Sequence, residues 1–164
     1  MNLALAIVLL VAAQRLAELI YGQRNSRRLL AEGAVETGTG HYPLLVLVHA
    51  GWLMALLILA SRAPGVNWWL IGLYGLVQIG RLWVLASLGR YWTTRLISMP
   101  GAPLVRRGPY RFLKHPNYLI VVAEVAVLPL AFGAWRTAVV FSVLNAALLA
   151  WRVRIENRML AERR

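Results

Sequence analysis

Residues Asn67–Leu88 read NWWLIGLYGLVQIGRLWVLASL, and one ionisable side chain expected to carry charge, Arg81, interrupts them. Coiled as an α-helix at ~1.5 Å per residue, the stretch is long enough to cross the ~30 Å hydrocarbon core of a bilayer. Four more stretches have the same character: Leu3–Ile20, Leu44–Ala60, Tyr118–Ala134 and Thr137–Trp151. The fifth is short, and Pro129 in the fourth is expected to kink it. Met1 leads into Leu3–Ala13 with no basic segment before it, so the first stretch reads as a retained span. The fold class is therefore all-α, a polytopic membrane bundle of about five transmembrane helices forming one domain over residues 1–164.

Composition agrees. Hydrophobic residues make up 60% of the chain, mean hydropathy is +0.61, and only 15% of residues are charged, against about a quarter in soluble domains. A net charge of +12 in a soluble protein would suggest nucleic acid. Here the basic residues flank apolar runs, so membrane topology accounts for them and no nucleic acid partner is expected. The absence of cysteine excludes disulfides, thiolate metal sites and cysteine nucleophiles. No convincing set of metal ligands is present.

The connections alternate in length. Gly22–Pro43 is long and polar, Ser61–Val66 is a tight turn, Gly89–Asn117 is long and basic, and Gly133–Arg136 is again tight. Helices two and three, and four and five, are thus expected to be antiparallel hairpins. Arg24, Arg27 and Arg28 lie in the first connection. Arg90, Arg95, Arg106, Arg107, Arg111 and Lys114 lie in the third, and Arg152, Arg154, Arg158, Arg163 and Arg164 in the tail. With five spans these fourteen share one side, against Arg62 and Arg136 on the other. The positive-inside rule puts the N-terminus outside and the C-terminus in the cytoplasm of a multi-pass protein of the cell inner membrane.

Ionisable residues inside spans are costly, and so are paired or functional. Arg15, Glu18, His49, Arg81 and Glu124 are such residues, with Gln78 and Asn145 beside them. Counting from the span ends puts Arg81 and Glu124 both ~10 Å below the inner surface, with Arg15, His49 and Asn145 near the same level. Glu124 and Arg81 are the expected ion pair. Two readings of the layer stand open, interhelical glue or the floor of a pocket open to the cytoplasm; for the layer as a whole the pocket is favoured. Aromatic residues crowd the span ends. Trp68, Trp69 and Trp135 read as an interfacial belt, whereas Tyr91, Trp92, Tyr110, Tyr118 and Trp151 could also wall a ligand site.

The third connection carries the chemistry. It runs Leu88-Gly-Arg-Tyr-Trp-Thr-Thr-Arg95 and then Pro100-Gly-Ala-Pro-Leu-Val-Arg-Arg-Gly-Pro-Tyr-Arg-Phe-Leu-Lys-His-Pro-Asn-Tyr-Leu119. Pro116 stands where a helix begins, a favoured place for proline. Gly108, Tyr110, His115, Pro116 and Tyr118 ahead of a membrane helix, with Arg152-Val-Arg-Ile-Glu156 beyond the next hairpin, resemble the isoprenylcysteine carboxyl methyltransferase family. The resemblance covers Leu88 to the end, and the Arg-Tyr-Trp-Thr-Thr-Arg stretch is similar to a bacterial branch associated with alkylpyrone methylation.

The resemblance implies a membrane methyltransferase that uses S-adenosylmethionine without a Rossmann domain; accordingly, no G-x-G-x-x-G follows a strand. It further implies that Ala102, Pro103, Leu104, Val105, Tyr110, His115, Pro116, Asn117, Tyr118 and Glu156 contact cofactor, and that Arg152 faces the substrate. Arg152 and Glu156 are the expected catalytic pair. Arg152, Asn157, Glu124 and Arg81 are the residues expected to meet the acceptor. Asn157 stands where many eukaryotic members carry a second Glu, a departure that bears on the substrate and not on the cofactor. Spaced i and i+4, Arg152 and Glu156 share one helix face. As a plain surface ion pair they would contribute only ~0.3–0.5 kcal/mol, but the upstream motif favours a site.

The implied reaction is methyl transfer to a carboxylate or acidic hydroxyl of a lipophilic small molecule, with membrane lipids around it. A phospholipid N-methyltransferase, a sterol-reductase-like enzyme and a non-enzymatic assembly or transport protein are the rival readings. The oligomeric state is not legible.

Overall fold

The computed structural model describes residues 2–101 and 105–161. Five helices carry the chain: α1 (Leu3–Ala31), α2 (Tyr42–Ser61), α3 (Trp68–Leu88), α4 (Pro116–Ala131) and α5 (Trp135–Ala161). Four of them are long and apolar enough to cross a membrane, while α4 is a shorter apolar helix of 16 residues. Large apolar side chains such as Leu10, Leu47, Trp69 and Leu76 point away from the protein core, as lipid-facing surfaces require.

Local chemistry sets the helix ends. The Asn2 side chain accepts from the Leu5 N–H and donates to the Ala60 carbonyl, so it caps α1 and ties it to the end of α2. Asn67 caps α3 through the N–H groups of Trp69 and Leu70, while its own N–H reaches the Ala131 carbonyl at the end of α4. Pro43 and Pro116 stand at the starts of α2 and α4. Pro129 is followed two residues later by the end of α4, so it closes that helix rather than kinking a longer span through Ala134. The chain then turns at Gly133, whose positive φ of 74° suits glycine.

Two spans are longer than the sequence suggests. α1 continues past Ile20 as far as Ala31, into what reads as a polar connection, and α5 runs unbroken from Trp135 through Arg152 and Glu156. Two short strands, β1 (Val35–Glu36) and β2 (Ile97–Ser98), pair antiparallel and bind the first connection to the third. α4 packs on both α3 and α5, and α2 packs on α1 and α5. The α4–α5 hairpin is thus present, whereas α2 and α3, joined by a turn, scarcely touch.

The bundle is layered along its axis. At one end Val8, Leu56, Leu128 and their neighbours from α1, α2, α3 and α4 form the apolar core. Next comes a polar layer. Arg81 clasps Glu124, with Nε 2.6 Å from Oε1 and Nη2 on Oε2, and reaches Glu18 at 3.2 Å. Arg15 bonds the same two carboxylates. Gln78 donates to Glu124 at 2.7 Å, and Gln14 donates to both Glu18 and Gln78. Two positive and two negative groups from α1, α3 and α4 thus neutralise one another. His49 bonds the Leu45 carbonyl of its own helix, and Asn145 is buried with no hydrogen-bond partner among the described residues. Beyond this layer lies the cavity.

Candidate active site

At the end of the bundle where α1 and α3 finish and α4 begins, a cavity of about 850 Å³ opens between the third connection and the last turns of α5. Val105, Tyr110, His115, Asn117, Tyr118, Arg152, Glu156 and Asn157 line it. Pro116 is buried as the first residue of α4 and sets the direction of the two that follow. Ala102, Pro103 and Leu104 lie outside the described residues, as do Arg163 and Arg164 of the tail. Arg81 and Glu124 hold each other in the polar layer, and neither they nor Arg15, His49 or Asn145 line the cavity.

Arg152 and Glu156 do not form a direct ion pair. The Tyr118 hydroxyl bridges them: Arg152 Nε donates to it at 2.9 Å, and it donates to Glu156 Oε2. Arg152 Nη1 reaches the Thr94 carbonyl at 2.9 Å, so the buried guanidinium is clamped between α4 and the third connection. Its Nη2 makes no hydrogen bond among the described residues. The His115 and Tyr118 rings stack with centroids 5.3 Å apart. His115 Nε2 meets Asn157 Oδ1 at 3.1 Å, and Nδ1 faces Glu156 Oε2 at 3.6 Å. Glu156 Oε1 makes no hydrogen bond among the described residues, and Asn117 Oδ1 is a buried acceptor with no partner among them. Burial, and secondarily the Glu156 carboxylate, push the Tyr110 phenol above its ordinary range, so it stays protonated as a donor.

The third connection supplies the opposite wall. Asn25 of α1 donates to the Trp92 carbonyl at 2.8 Å, and Tyr21 stacks on the Trp92 ring. Trp92 is buried on the cavity, and its indole N–H has no partner among the described residues. The Thr94 hydroxyl meets that of Tyr42 at 3.2 Å. Glu36 pairs with Arg95 across the strand pair, and Glu32 pairs with Arg90. Thr94, which acts through its backbone carbonyl, leaves no mark in a sequence; Tyr91 and Trp92 do, as aromatics at an inner span end.

The wall is strongly basic. Among the described residues Arg95, Arg106, Arg111, Lys114 and Arg152 line the cavity against one carboxylate, Glu156. A ligand rich in negative or acceptor groups would be held by this ring, with Glu156 and Asn117 taking its few donors.

A model of the isoprenylcysteine carboxyl methyltransferase (ICMT) family matches residues 70–162. A Bacillus subtilis protein named "Uncharacterized protein YpbQ" is 38% identical over 162 residues, covering 95% of each chain. A Haemophilus influenzae protein named "Uncharacterized protein" is 26% identical over 158 residues, covering 90% of this chain and 88% of its own. No solved structure matches. The family's match spans the motif at Gly108–Tyr118, the pair Arg152 and Glu156, and the helices that hold them. The chain therefore belongs to the isoprenylcysteine carboxyl methyltransferase family and is a multi-pass membrane methyltransferase.

Proposed function

We propose that this chain transfers the methyl group of S-adenosylmethionine to an anionic oxygen, a carboxylate or acidic hydroxyl, on a lipophilic small molecule at the cytoplasmic face of the inner membrane. The observation that carries this reading is the Tyr118 bridge, which orients Arg152 and Glu156 on one cavity. The acceptors present fit the cofactor: Glu156 Oε1 and Asn117 Oδ1, which has no partner among the described residues, suit an ammonium or ribose hydroxyls, and the His115–Tyr118 stack offers an aromatic face. When bound, S-adenosylmethionine would supply an electrophilic methyl for the acceptor oxygen, its sulfonium sulfur leaving as the neutral thioether. Arg152 orients the acceptor through its free Nη2 while Tyr118 and Thr94 fix its plane. Asn157, held by His115, borders the acceptor. No strong base is required, because such an acceptor is ionised near neutral pH. Catalysis is then positioning in a dry site, for which proximity supplies up to ~7–11 kcal/mol.

Even with Arg95 paired to Glu36, the cations on the cavity wall outnumber its carboxylate, which favours an anionic acceptor over the ammonium of an aminophospholipid. The fourteen-to-two partition of basic residues supports a cytoplasmic cavity. The test is transfer of radiolabelled methyl from S-adenosylmethionine to fatty-tailed carboxylates, hydroxypyrones and phosphatidylethanolamine. Labelling of the first or second is expected; labelling of phosphatidylethanolamine alone would refute the acceptor assignment.

A further inference from the structure

The turn before α4, Gly108–Lys114, carries an exposed aromatic side chain that the proposed chemistry does not use, beside cations that also face the cavity. Phe112 is 75% exposed and Leu113 47% exposed, in the sequence Pro-Tyr-Arg-Phe-Leu-Lys. Arg106, Arg107, Arg111 and Lys114 flank them in sequence, and the Arg111 guanidinium lies 5.8 Å from the centre of the Phe112 ring. No acidic residue occurs between Glu36 and Glu124, and both of those are engaged, with Arg95 and in the polar layer respectively. Glu18 lies in the same polar layer, Glu32 is engaged with Arg28 and Arg90, Glu156 with Tyr118, and none of the four cations forms an ion pair among the described residues. Among the described residues this exposed aromatic tip, flanked by cations, has neither apolar cover nor counter-ions.

The position of the turn says what supplies them. Arg107 Nε donates to the Ser87 carbonyl at 2.7 Å, in the last turn of α3. Gly108, at a positive φ of 58°, packs so closely that an added Cβ would collide with Ser87 Oγ and lie 3.1 Å from Trp83 Nε1. The turn is thus folded back along α3 at the level of Trp83 and Ser87. α3 spans a membrane, and Trp83 is half-exposed near its end, where interfacial tryptophans sit. The turn thus sits beside the end of a helix long and apolar enough to cross a membrane.

We propose that the Gly108–Lys114 turn is an anionic-lipid docking site: Phe112 and Leu113 enter the interface while Arg106, Arg111 and Lys114 bind the phosphates of acidic phospholipids. Basic residues near an anionic surface act in this way, and apolar neighbours add burial to the attraction. The assignment does not depend on the reaction catalysed. Because Leu113, Arg111 and Lys114 also line the cavity, the docked turn holds the cavity's rim against the bilayer from which a lipophilic molecule would enter.

The chain has no cysteine, so Phe112→Cys takes a single spin label. In nanodiscs of phosphatidylcholine with phosphatidylglycerol, collisions of the label with oxygen should exceed those with a water-soluble nickel chelate. In pure phosphatidylcholine the ratio should fall towards the value for water. With the chain unaltered at 112, spin-labelled phosphatidylglycerol should be preferred over phosphatidylcholine at the protein boundary. That preference should weaken about fivefold for each of Arg106, Arg111 and Lys114 changed to Gln. A label equally nickel-exposed in both discs would overturn the proposal. So would equal insertion in both, or an unaltered protein without lipid preference.

Discussion

The molecule holds two clusters built from the same side chains, and they do opposite things. In the middle of the bundle Arg15, Arg81, Glu18 and Glu124 bond one another completely, with Gln14 and Gln78 closing the gaps. At its end Arg152 and Glu156 share the Tyr118 hydroxyl, and Nη2, Oε1, Asn117 Oδ1 and the Trp92 indole N–H make no hydrogen bond among the described residues. The first cluster has no net charge and does not line the cavity; the second faces it with cations in excess. An ionisable residue in a membrane span is thus informative only once its partners are counted. A satisfied group holds helices together, and an unsatisfied one awaits a ligand.

Glu124→Ala breaks this comparison most severely, because it leaves two arginines in the bundle, Arg81 fully buried, short of a carboxylate. Removing one partner of a buried ion pair costs about 3–5 kcal/mol. Unfolding in mixed detergent should therefore begin at a much lower fraction of denaturing detergent; an unchanged transition would show that the network does not hold the bundle.

A smaller effect, on turnover rather than stability, is expected of Arg152→Lys. Lysine keeps the charge, but its single nitrogen cannot serve both Tyr118 and Thr94 along the same planar fork. A charged hydrogen bond contributes about 1.5–3 kcal/mol, so kcat/KM should drop roughly 10- to 100-fold while S-adenosylmethionine affinity changes little. Cofactor affinity falling along with turnover would move Arg152 from the acceptor's side to the cofactor's.

The smallest effect belongs to Glu36→Gln, which removes the Arg95 partner on the exposed strap joining the first and third connections. Such pairs contribute about 0–1 kcal/mol and are screened by salt. Its thermal midpoint should lie close to that of the unaltered chain and converge with it at high salt. A large shift would mean that the strap, and not the buried network, governs stability.

The apolar runs made the spans legible, since the bilayer's thickness dictates their length. The helical continuation past Ile20 was not, because hydropathy reports lipid contact and not helicity, and that past Trp151 showed only in the i, i+4 spacing of Arg152 and Glu156. α1 continues because Asn25 and Ser26 find buried partners in the Trp92 and Gly22 carbonyls. Strands of two residues, as at Val35–Glu36, carry no periodicity to read. Depth counting foretold the pairing of Arg81 with Glu124, since both sit at one level below the same surface. It did not foretell Glu18 and Gln14 as partners, which depends on side-chain reach. In the site, motif spacing brought His115, Tyr118, Arg152 and Glu156 to attention. That Tyr118 stands between the last two follows only from how α4 meets α5.

The most direct test of the difference between the clusters is the affinity of the detergent-solubilised protein for S-adenosylmethionine in two variants, Glu156→Ala and Gln14→Ala. Glu156 stands on the cavity, whereas Gln14 belongs to the closed network. Glu156→Ala should weaken binding at least tenfold, the equivalent of ~1.4 kcal/mol, with its unfolding transition preserved, and Gln14→Ala should bind as the unaltered chain does. Undiminished affinity in Glu156→Ala, or a comparable loss in a folded Gln14→Ala, would contradict the assignment of the cavity as the cofactor site.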